Sequence, residues 1–241
     1  MPDMDLVPFA LHPYRWYYMR FIHLLECIRN PREFNEVSRM GGDDAYVYTM
    51  LHVDAIASFL SFLELFPAYF EHAYRMQGIQ GALNRYTVQE VEGFFRGLGT
   101  ESWPLVHQCM GYGYVKGDPE LDQTLVEHAK SVCAFLHHCG HFYLSHKPLL
   151  NAFKHGMRIA TLDEKPPRCA FVCLSDRKRE DKGLLIIWEE ERTERMKEAF
   201  DFLVSLLAGL LDRFCLARDI GENETREYVL QGYAPPAFPA I

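Results

Sequence analysis

The sequence predicts a mainly α-helical protein, organised as one domain over residues 1–241, in which a multi-helix bundle contains one β-hairpin at about residues 169–190, before the last long helix. Long segments repeat apolar residues at the three- and four-residue spacing of a helix. Two short apolar runs, CAFVCLS and LLIIWEE, flank the charged turn SDRKREDKG, as in a hairpin. No internal repeat or low-complexity linker divides the sequence, so a single domain is expected.

Capping residues and prolines predict the helix boundaries in the first part of the chain. The first helix is expected to begin near Pro13 and to end around Arg29. Asp43 or Asp44 is expected to cap a long helix, which Pro67 should kink or split because a proline removes one backbone hydrogen bond. Both helices carry apolar residues on one stripe, so each is expected to bury one face.

The same signals delimit the later helices. Thr87, followed three residues later by a glutamate, has the spacing of a capping box and opens a shorter helix that Gly97 or Gly99 ends. Pro119 is expected at the first position of another long helix, and Pro148 should restart or kink it. The final helix follows the hairpin and carries a continuous apolar stripe.

Composition restricts the classes of function. A net charge of -8 argues against the broad positive field of a non-specific nucleic-acid binder, so any anion site must be local. The cysteines form no CxxC pair, which favours free thiols in the cytoplasm. The sequence starts without a signal-peptide pattern, and Asp201 and Asp212 interrupt its C-terminal apolar run, so a soluble protein without a membrane partner is expected. Phosphate-loop, dinucleotide and zinc-protease motifs are absent from the sequence, and no cofactor is expected.

The window between Glu127 and Asp163 contains no aspartate or glutamate. It holds six of the 11 histidines together with Lys130, Lys147, Lys154 and Arg158. Because no carboxylate neutralises the local positive potential, this window is the first candidate for contact with a phosphate or nucleotide. A long buried helix also has little use for acidic residues, and this second explanation accounts for the composition equally well.

The candidate ligand-binding residues lie at the end of this window, in the segment HKPLLNAFKHGMRIA. If the helix continues through Ile159, four of them recur at helical spacing on one face. Asn151 would then orient the ligand, and Lys154 and Arg158 would pair with phosphate. His155 would act as an acid, a base or a donor. The full candidate set is His146, Lys147, Asn151, Lys154, His155 and Arg158.

Gly156 permits a different structure for the same segment. A glycine commonly ends a helix, and MRIATL would then form a short strand beside the hairpin. In that case Lys154 and His155 only complement the helix dipole. The sequence leaves both alternatives open.

The run HFYLSHKPLLNAFKHGMRIA, in a mainly helical chain with a β-hairpin and a further long helix, resembles NxxKHG-type segments of uncharacterised bacterial proteins. More distantly, it resembles the HEPN superfamily, the helical domains named for nucleotide binding in higher eukaryotes and prokaryotes. The resemblance implies an α-helical domain, possible dimerisation and binding of a nucleotide or RNA. Superfamily members that cut RNA carry an arginine, commonly with a polar residue beside it, and a histidine with four to six residues between the arginine and the histidine. These residues are assembled across a dimer.

The sequence departs from that ribonuclease pattern. No arginine occurs between Arg96 and Arg158, so Asn151 and His155 match only its polar residue and its histidine. We therefore expect binding rather than catalysis. His155 is the one catalytic candidate for a metal-independent, ribonuclease-like activity.

Two other classes of function remain open. Cys133, His137 and His141 follow one another at one-turn intervals on one helix, and thiolate and imidazole suit zinc. One helix cannot close a tetrahedral site by itself, so histidines hydrogen-bonded to the backbone are the favoured explanation of this spacing. In a non-catalytic interaction protein, by contrast, the histidine-rich helix is core. The aromatic N-terminus and the tail YAPPAFPAI then contact another subunit or a protein partner.

Overall fold

A computed structural model describes residues 7–38, 43–72, 86–112, 119–155, 159–162, 167–174 and 183–216. Within these ranges the chain forms seven α-helices and three β-strands. The helices are α1 (Val7–Arg29), α2 (Pro31–Ser38), α3 (Asp44–His72), α4 (Val88–Gly97), α5 (Trp103–Cys109), α6 (Pro119–Lys154) and α7 (Glu190–Leu216). The strands are β1 (Ile159–Leu162), β2 (Arg168–Cys173) and β3 (Leu184–Glu189). The predicted mainly α-helical class is confirmed.

The predicted hairpin before the last helix is also confirmed, and it belongs to a larger sheet. Strands β2 and β3 pair antiparallel, and β1 adds a third antiparallel strand on the other side of β2. Side chains alternate across the sheet: Phe171, Ile186 and Trp188 are buried on one face, whereas Leu185 and Ile187 are exposed on the other. The sheet thus contributes one apolar face to the core.

The predicted caps are confirmed where the structure describes them. The carboxylate of Asp43 accepts the N–H of Tyr46 at 2.7 Å, just before α3. Thr87 and Glu90 exchange side-chain and backbone hydrogen bonds in a complete capping box at the start of α4. These bonds satisfy backbone N–H groups that a helix start leaves without intrahelical partners.

The predicted effects of three prolines need correction. Helix α1 begins at Val7, well before Pro13, and both α3 and α6 continue through their internal prolines, Pro67 and Pro148. A proline within a helix costs one backbone bond, which burial of the neighbouring turns can offset. Phe66 and Leu149, which flank the two later prolines, are fully buried. Packing on both sides therefore keeps those helices continuous.

The described residues form two compact units. The first contains residues 7–11, 63–72, 86–112, 119–144 and 201–216, and the second contains residues 12–38, 43–62, 145–155, 159–162, 167–174 and 183–200. In the first unit, aromatic rings pack in succession from Phe66 through Phe70, Phe94 and Phe95 to Tyr143. In the second unit, the ring of Phe200 contacts the rings of Tyr18, Phe21, Phe59 and Phe62.

Helix α3 is the one helix in the described ranges that is long and apolar enough to cross a membrane. Most of its apolar stretch is buried inside the protein, as in the core helix of a soluble fold. Six cysteines have described side chains and are free thiols, five of them buried, which confirms the free-thiol prediction for those six. Burial raises the pKa of Cys169 to about 12 and the pKa of Cys173 to about 11, so both thiols stay protonated.

Candidate functional site

The C-terminal end of α6 brings together four of the predicted ligand-binding residues. Lys147, Asn151, Lys154 and His155 follow one another at helical spacing, and the last three are exposed. The opposite face of the same turns is packed, because Leu150 is fully buried. We call these four residues the α6 basic face.

The helix ends earlier than one of the two alternatives required. Helix α6 ends at Lys154, and the N–H of His155 donates to the carbonyl of Asn151 at 3.0 Å. Strand β1 begins at Ile159, whose partner across the sheet is Cys173. Pairing with β2 requires an extended backbone there, so the prediction of a helix through Ile159 is wrong and the strand alternative is confirmed.

This correction removes the geometric argument for Arg158. The predicted position one further turn along α6 does not exist, because the helix has already ended at Lys154. Arg158 and Gly156 themselves lie outside the described residues. The α6 basic face therefore rests on two lysines, one amide and one imidazole.

At this end of α6, some electrostatic contributions favour a bound anion and others oppose it. The carbonyl end of a helix carries a partial negative charge, which Lys154 complements and which opposes a bound anion. Lys147 and Lys154 each also interact within the protein, so a ligand has to share or replace those interactions. Nearby, Arg20 lies over the ring of Phe153 at 5.9 Å and pairs with Asp54 at 2.6 Å, so that carboxylate is compensated.

His146 occupies a different environment from the other predicted ligand-binding residues. Its ring packs edge-on against the indole of Trp188, with 6.0 Å between the ring centroids. The guanidinium of Arg192 lies 5.8 Å from the centre of the same indole. His146 therefore packs against an indole of β3 that also contacts Arg192 in the first turn of α7.

This indole belongs to a buried polar network that the sequence did not predict. The indole N–H of Trp188 donates to the hydroxyl oxygen of Thr193 at 2.8 Å, and that oxygen lies 2.9 Å from Nδ1 of His52. All three side chains are buried, and Nε2 of His52 has no hydrogen-bond partner within the described part of the chain. Burial lowers the pKa of His52 to about 4, so its imidazole is neutral. A histidine inside the apolar pattern of α3 was the available signal.

Tyr48 connects the same region to the start of α7. Its hydroxyl lies 3.3 Å from the carbonyl oxygen of Pro167 and 3.3 Å from a carboxylate oxygen of Glu190. Burial, reinforced by the charge of Glu190, raises the pKa of Tyr48, so the phenol remains a donor. The ring also packs edge-on against His52, at a centroid distance of 4.5 Å. These contacts are structural, and they fix the ends of α7 and β2 beside α3.

Two of the three candidate metal ligands on α6 make hydrogen bonds to the backbone. The thiol of Cys133 donates to the carbonyl of Gly99 at 3.3 Å, and burial raises its pKa. The ring N–H at Nδ1 of His137 donates to the carbonyl of Leu98 at 2.5 Å. Across the described residues, no group of three or more histidine, cysteine, aspartate or glutamate side chains is arranged to hold a metal ion. The thiol is protonated and already bonded, so the three-ligand zinc set with His141 is not assembled.

Comparisons with known proteins add no further assignment. A scan against protein-family models, a search of curated proteins and a search of solved structures each found no match. The resemblance to the HEPN superfamily, the dimer and the cytoplasmic location therefore stay predictions.

Proposed function

We propose that this protein binds a phosphate-bearing ligand, a nucleotide or RNA, through the α6 basic face. The observation that carries this proposal is the exposure of Asn151 and Lys154 at the end of α6, and of His155 directly after it, on a helix whose other face is buried. These side chains offer an amide, a cation and an imidazole, which are common partners of phosphate oxygens. The distant HEPN resemblance of the same segment supports this class of ligand.

The spacing of the two lysines favours a ligand with more than one anionic group. Lys147 and Lys154 are separated by two helical turns, which corresponds to about 10 Å along the axis. A single inorganic phosphate cannot contact both ammonium groups across that distance without long reaches of the side chains. Asn151 lies between them and can donate its amide to the ligand. We therefore expect a short single-stranded RNA to bind more tightly than a mononucleotide.

The affinity is expected to be modest and dependent on salt. The helix dipole opposes an anion at this end, and only two lysines neutralise phosphates. For two neutralised phosphates on a single strand, the slope of log K against log salt concentration is about -1.4. Loss of one lysine should reduce the magnitude of that slope by about 0.7.

The proposed activity is binding and not RNA cleavage. Ribonucleases of the HEPN type use an arginine upstream of the histidine, and this sequence has no arginine between Arg96 and Arg158. His155 has no such cation at the required spacing, so we expect bound RNA to remain intact.

The test measures binding of a short single-stranded RNA and of ATP to the full chain at two salt concentrations, while RNA length is followed in the same samples. The double variant Lys154→Ala/His155→Ala should lose about tenfold or more in affinity, equivalent to about 1.4 kcal/mol. The control Lys130→Ala/His138→Ala removes the same residue types from exposed positions of the same helix and should change affinity less than twofold.

Two results would overturn the proposal. One is a folded wild-type protein that binds neither RNA nor ATP at low salt. The other is an equal loss of affinity in the two double variants, which would indicate a diffuse charge effect along α6. Circular dichroism of each variant establishes that the helices are intact.

A further inference from the structure

A second chemical site is suggested by two histidines in the first unit. His137 and His141 lie one turn apart on α6, with ring centroids 5.4 Å apart and ring planes inclined by 74°. His141 is exposed and His137 is partly exposed. The pair therefore places two imidazole rings, in an edge-to-face arrangement, on the surface of one helix.

The backbone fixes the orientation of one of these rings. Nδ1–H of His137 donates to the carbonyl of Leu98, so the neutral ring carries its lone pair on Nε2. Leu98 follows α4 directly, and its own N–H bonds to the carbonyl of Phe94 at 3.2 Å. A metal-binding histidine generally uses its second ring nitrogen in this way, as a donor to a carbonyl or carboxylate.

The loop that contains Leu98 is itself held by further hydrogen bonds. Ser102 Oγ donates to the carbonyl of Gly97 at 2.8 Å and accepts the N–H of Gly99 at 3.0 Å. The thiol of Cys133 donates to the Gly99 carbonyl. Cys133 thus supports the loop and is not a candidate ligand.

We propose that His137 and His141 form a bidentate binding site for a divalent first-row transition-metal ion, with water in the remaining coordination positions. Two imidazoles that share one ion through Nε2, at about 2.1 Å each, have ring centroids roughly 5 Å apart. The observed centroid separation of 5.4 Å is close to that value. Imidazole sites bind Cu²⁺ more tightly than Ni²⁺ or Zn²⁺, so Cu²⁺ is the ion of highest affinity.

The test titrates Cu²⁺, Ni²⁺ and Zn²⁺ separately into the full chain, prepared without a polyhistidine tag and treated with a chelator beforehand. Isothermal calorimetry is expected to give one ion per chain in the order Cu²⁺ above Ni²⁺ and Zn²⁺. Electron paramagnetic resonance of the Cu²⁺ complex is expected to show coupling to two ring nitrogens.

Variants separate this site from the other histidines. His137→Ala and His141→Ala should each weaken Cu²⁺ binding by about tenfold or more. The double variant should have about the same Cu²⁺ affinity as the single variant that binds more weakly, because one ligand alone forms no chelate. His138→Ala is the matched control, an exposed neighbour on the same helix, and should bind as the wild type does.

A folded wild-type protein that binds no Cu²⁺ would overturn the proposal, as would stoichiometric binding that survives in the double variant. His137→Ala also removes a hydrogen bond to Leu98, which can destabilise the loop. His141→Ala changes an exposed residue and keeps the test decisive if the other variant unfolds.

Discussion

The hydroxyl of Thr193 receives the indole N–H of Trp188 and lies 2.9 Å from the imidazole of His52, so one side chain of α7 connects β3 with α3. The indole can only donate, which leaves the hydroxyl hydrogen of Thr193 for Nδ1 of His52. A buried ring nitrogen that loses its partner retains the full cost of desolvation. This one hydroxyl therefore supplies the hydrogen-bond partner of one nitrogen in each of two buried rings.

Replacing Thr193 with valine keeps the shape of the side chain and removes both hydrogen bonds. We expect Thr193→Val to lower the free energy of unfolding by about 2–3 kcal/mol, since two buried groups lose their partner. Urea denaturation followed by circular dichroism measures this change. The control Thr124→Val removes an exposed hydroxyl that bonds to the Glu120 carbonyl on α6, and its effect should stay within about 0.5 kcal/mol. Equal effects of the two substitutions would contradict the importance of the network.

His52 makes the stability depend on pH. Its pKa in the folded protein is lowered by burial from 6.5 to about 4, so between these values the unfolded chain binds a proton that the folded protein does not. Stability from the neutral ring is fully present above pH 6.5 and is lost progressively as the pH falls from 6.5 to about 4. The expected loss is about 3 kcal/mol across this window.

The measurement compares unfolding free energies of the wild type and His52→Gln at several pH values between 4 and 7. The variant should show a smaller decrease on acidification. Some decrease will remain, because burial also lowers the pKa of His107, against an opposing effect of Asp122. His23→Gln, at an exposed position of α1, should retain the wild-type profile. A His52→Gln profile parallel to that of the wild type would refute the assignment.

At the scale of elements, α6 approaches α4 closely at Gly140. A Cβ atom at this position would lie 2.8 Å from Cδ1 and 3.0 Å from Cβ of Phe95. Phe95 is buried and packs against the rings of Phe94 and Tyr143, so it has little space to move. The absence of a side chain at Gly140 is therefore a packing requirement.

Two glycine substitutions should change stability in opposite directions. Gly140→Ala is expected to destabilise the protein by about 1–2 kcal/mol, because overpacking exceeds the gain in helix propensity. Gly93→Ala, on an exposed position of α4 with open space around it, should stabilise the protein by about 0.5–1 kcal/mol. Thermal and chemical denaturation of both variants measures the difference. Destabilisation by both substitutions would show that the contact with Phe95 is not the cause.

Elements with a local cause were predictable from the sequence, and elements that depend on packing were not. The capping box at Thr87 is a contact between residues of adjacent turns, so its spacing was sufficient to locate the start of α4. The continuity of α3 through Pro67 depends on burial against distant segments, which no local pattern contains. Strand β1 likewise depends on pairing with β2, and for that reason the sequence left helix and strand open after Gly156.

In the candidate site, too, relations within one helix were predictable and contacts between distant elements were not. Helical spacing relates Asn151 and Lys154 within α6, whereas His155 follows the last residue of that helix, and all three are exposed. The network of His52, Thr193 and Trp188 joins three elements, and no spacing in the sequence relates them. For the candidate metal ligands on α6, the sequence favoured histidines bonded to the backbone, and His137 makes such a bond. The carbonyl partners of His137 and Cys133 lie in the loop after α4, and no sequence pattern identifies them.

At the scale of the whole molecule, four helices continue from one compact unit into the other. The boundary lies after Leu11 in α1, after Phe62 in α3, after Leu144 in α6 and after Phe200 in α7. Unfolding one unit alone would interrupt all four helices and expose backbone groups at each new end. Phe62 and Phe200 are fully buried, so such a cut would also open apolar core.

We therefore expect the two units to unfold in one cooperative transition. Trp188 lies in the second unit, and a variant with Trp16→Phe and Trp103→Phe makes its fluorescence a probe of that unit. Far-ultraviolet circular dichroism reports all helices of both units in the same samples. In urea, the two signals should give the same midpoint and slope, because two-state unfolding makes all probes coincide. If helix content were lost in a second step while the Trp188 signal stayed native, continuity of the helices would not couple the two units.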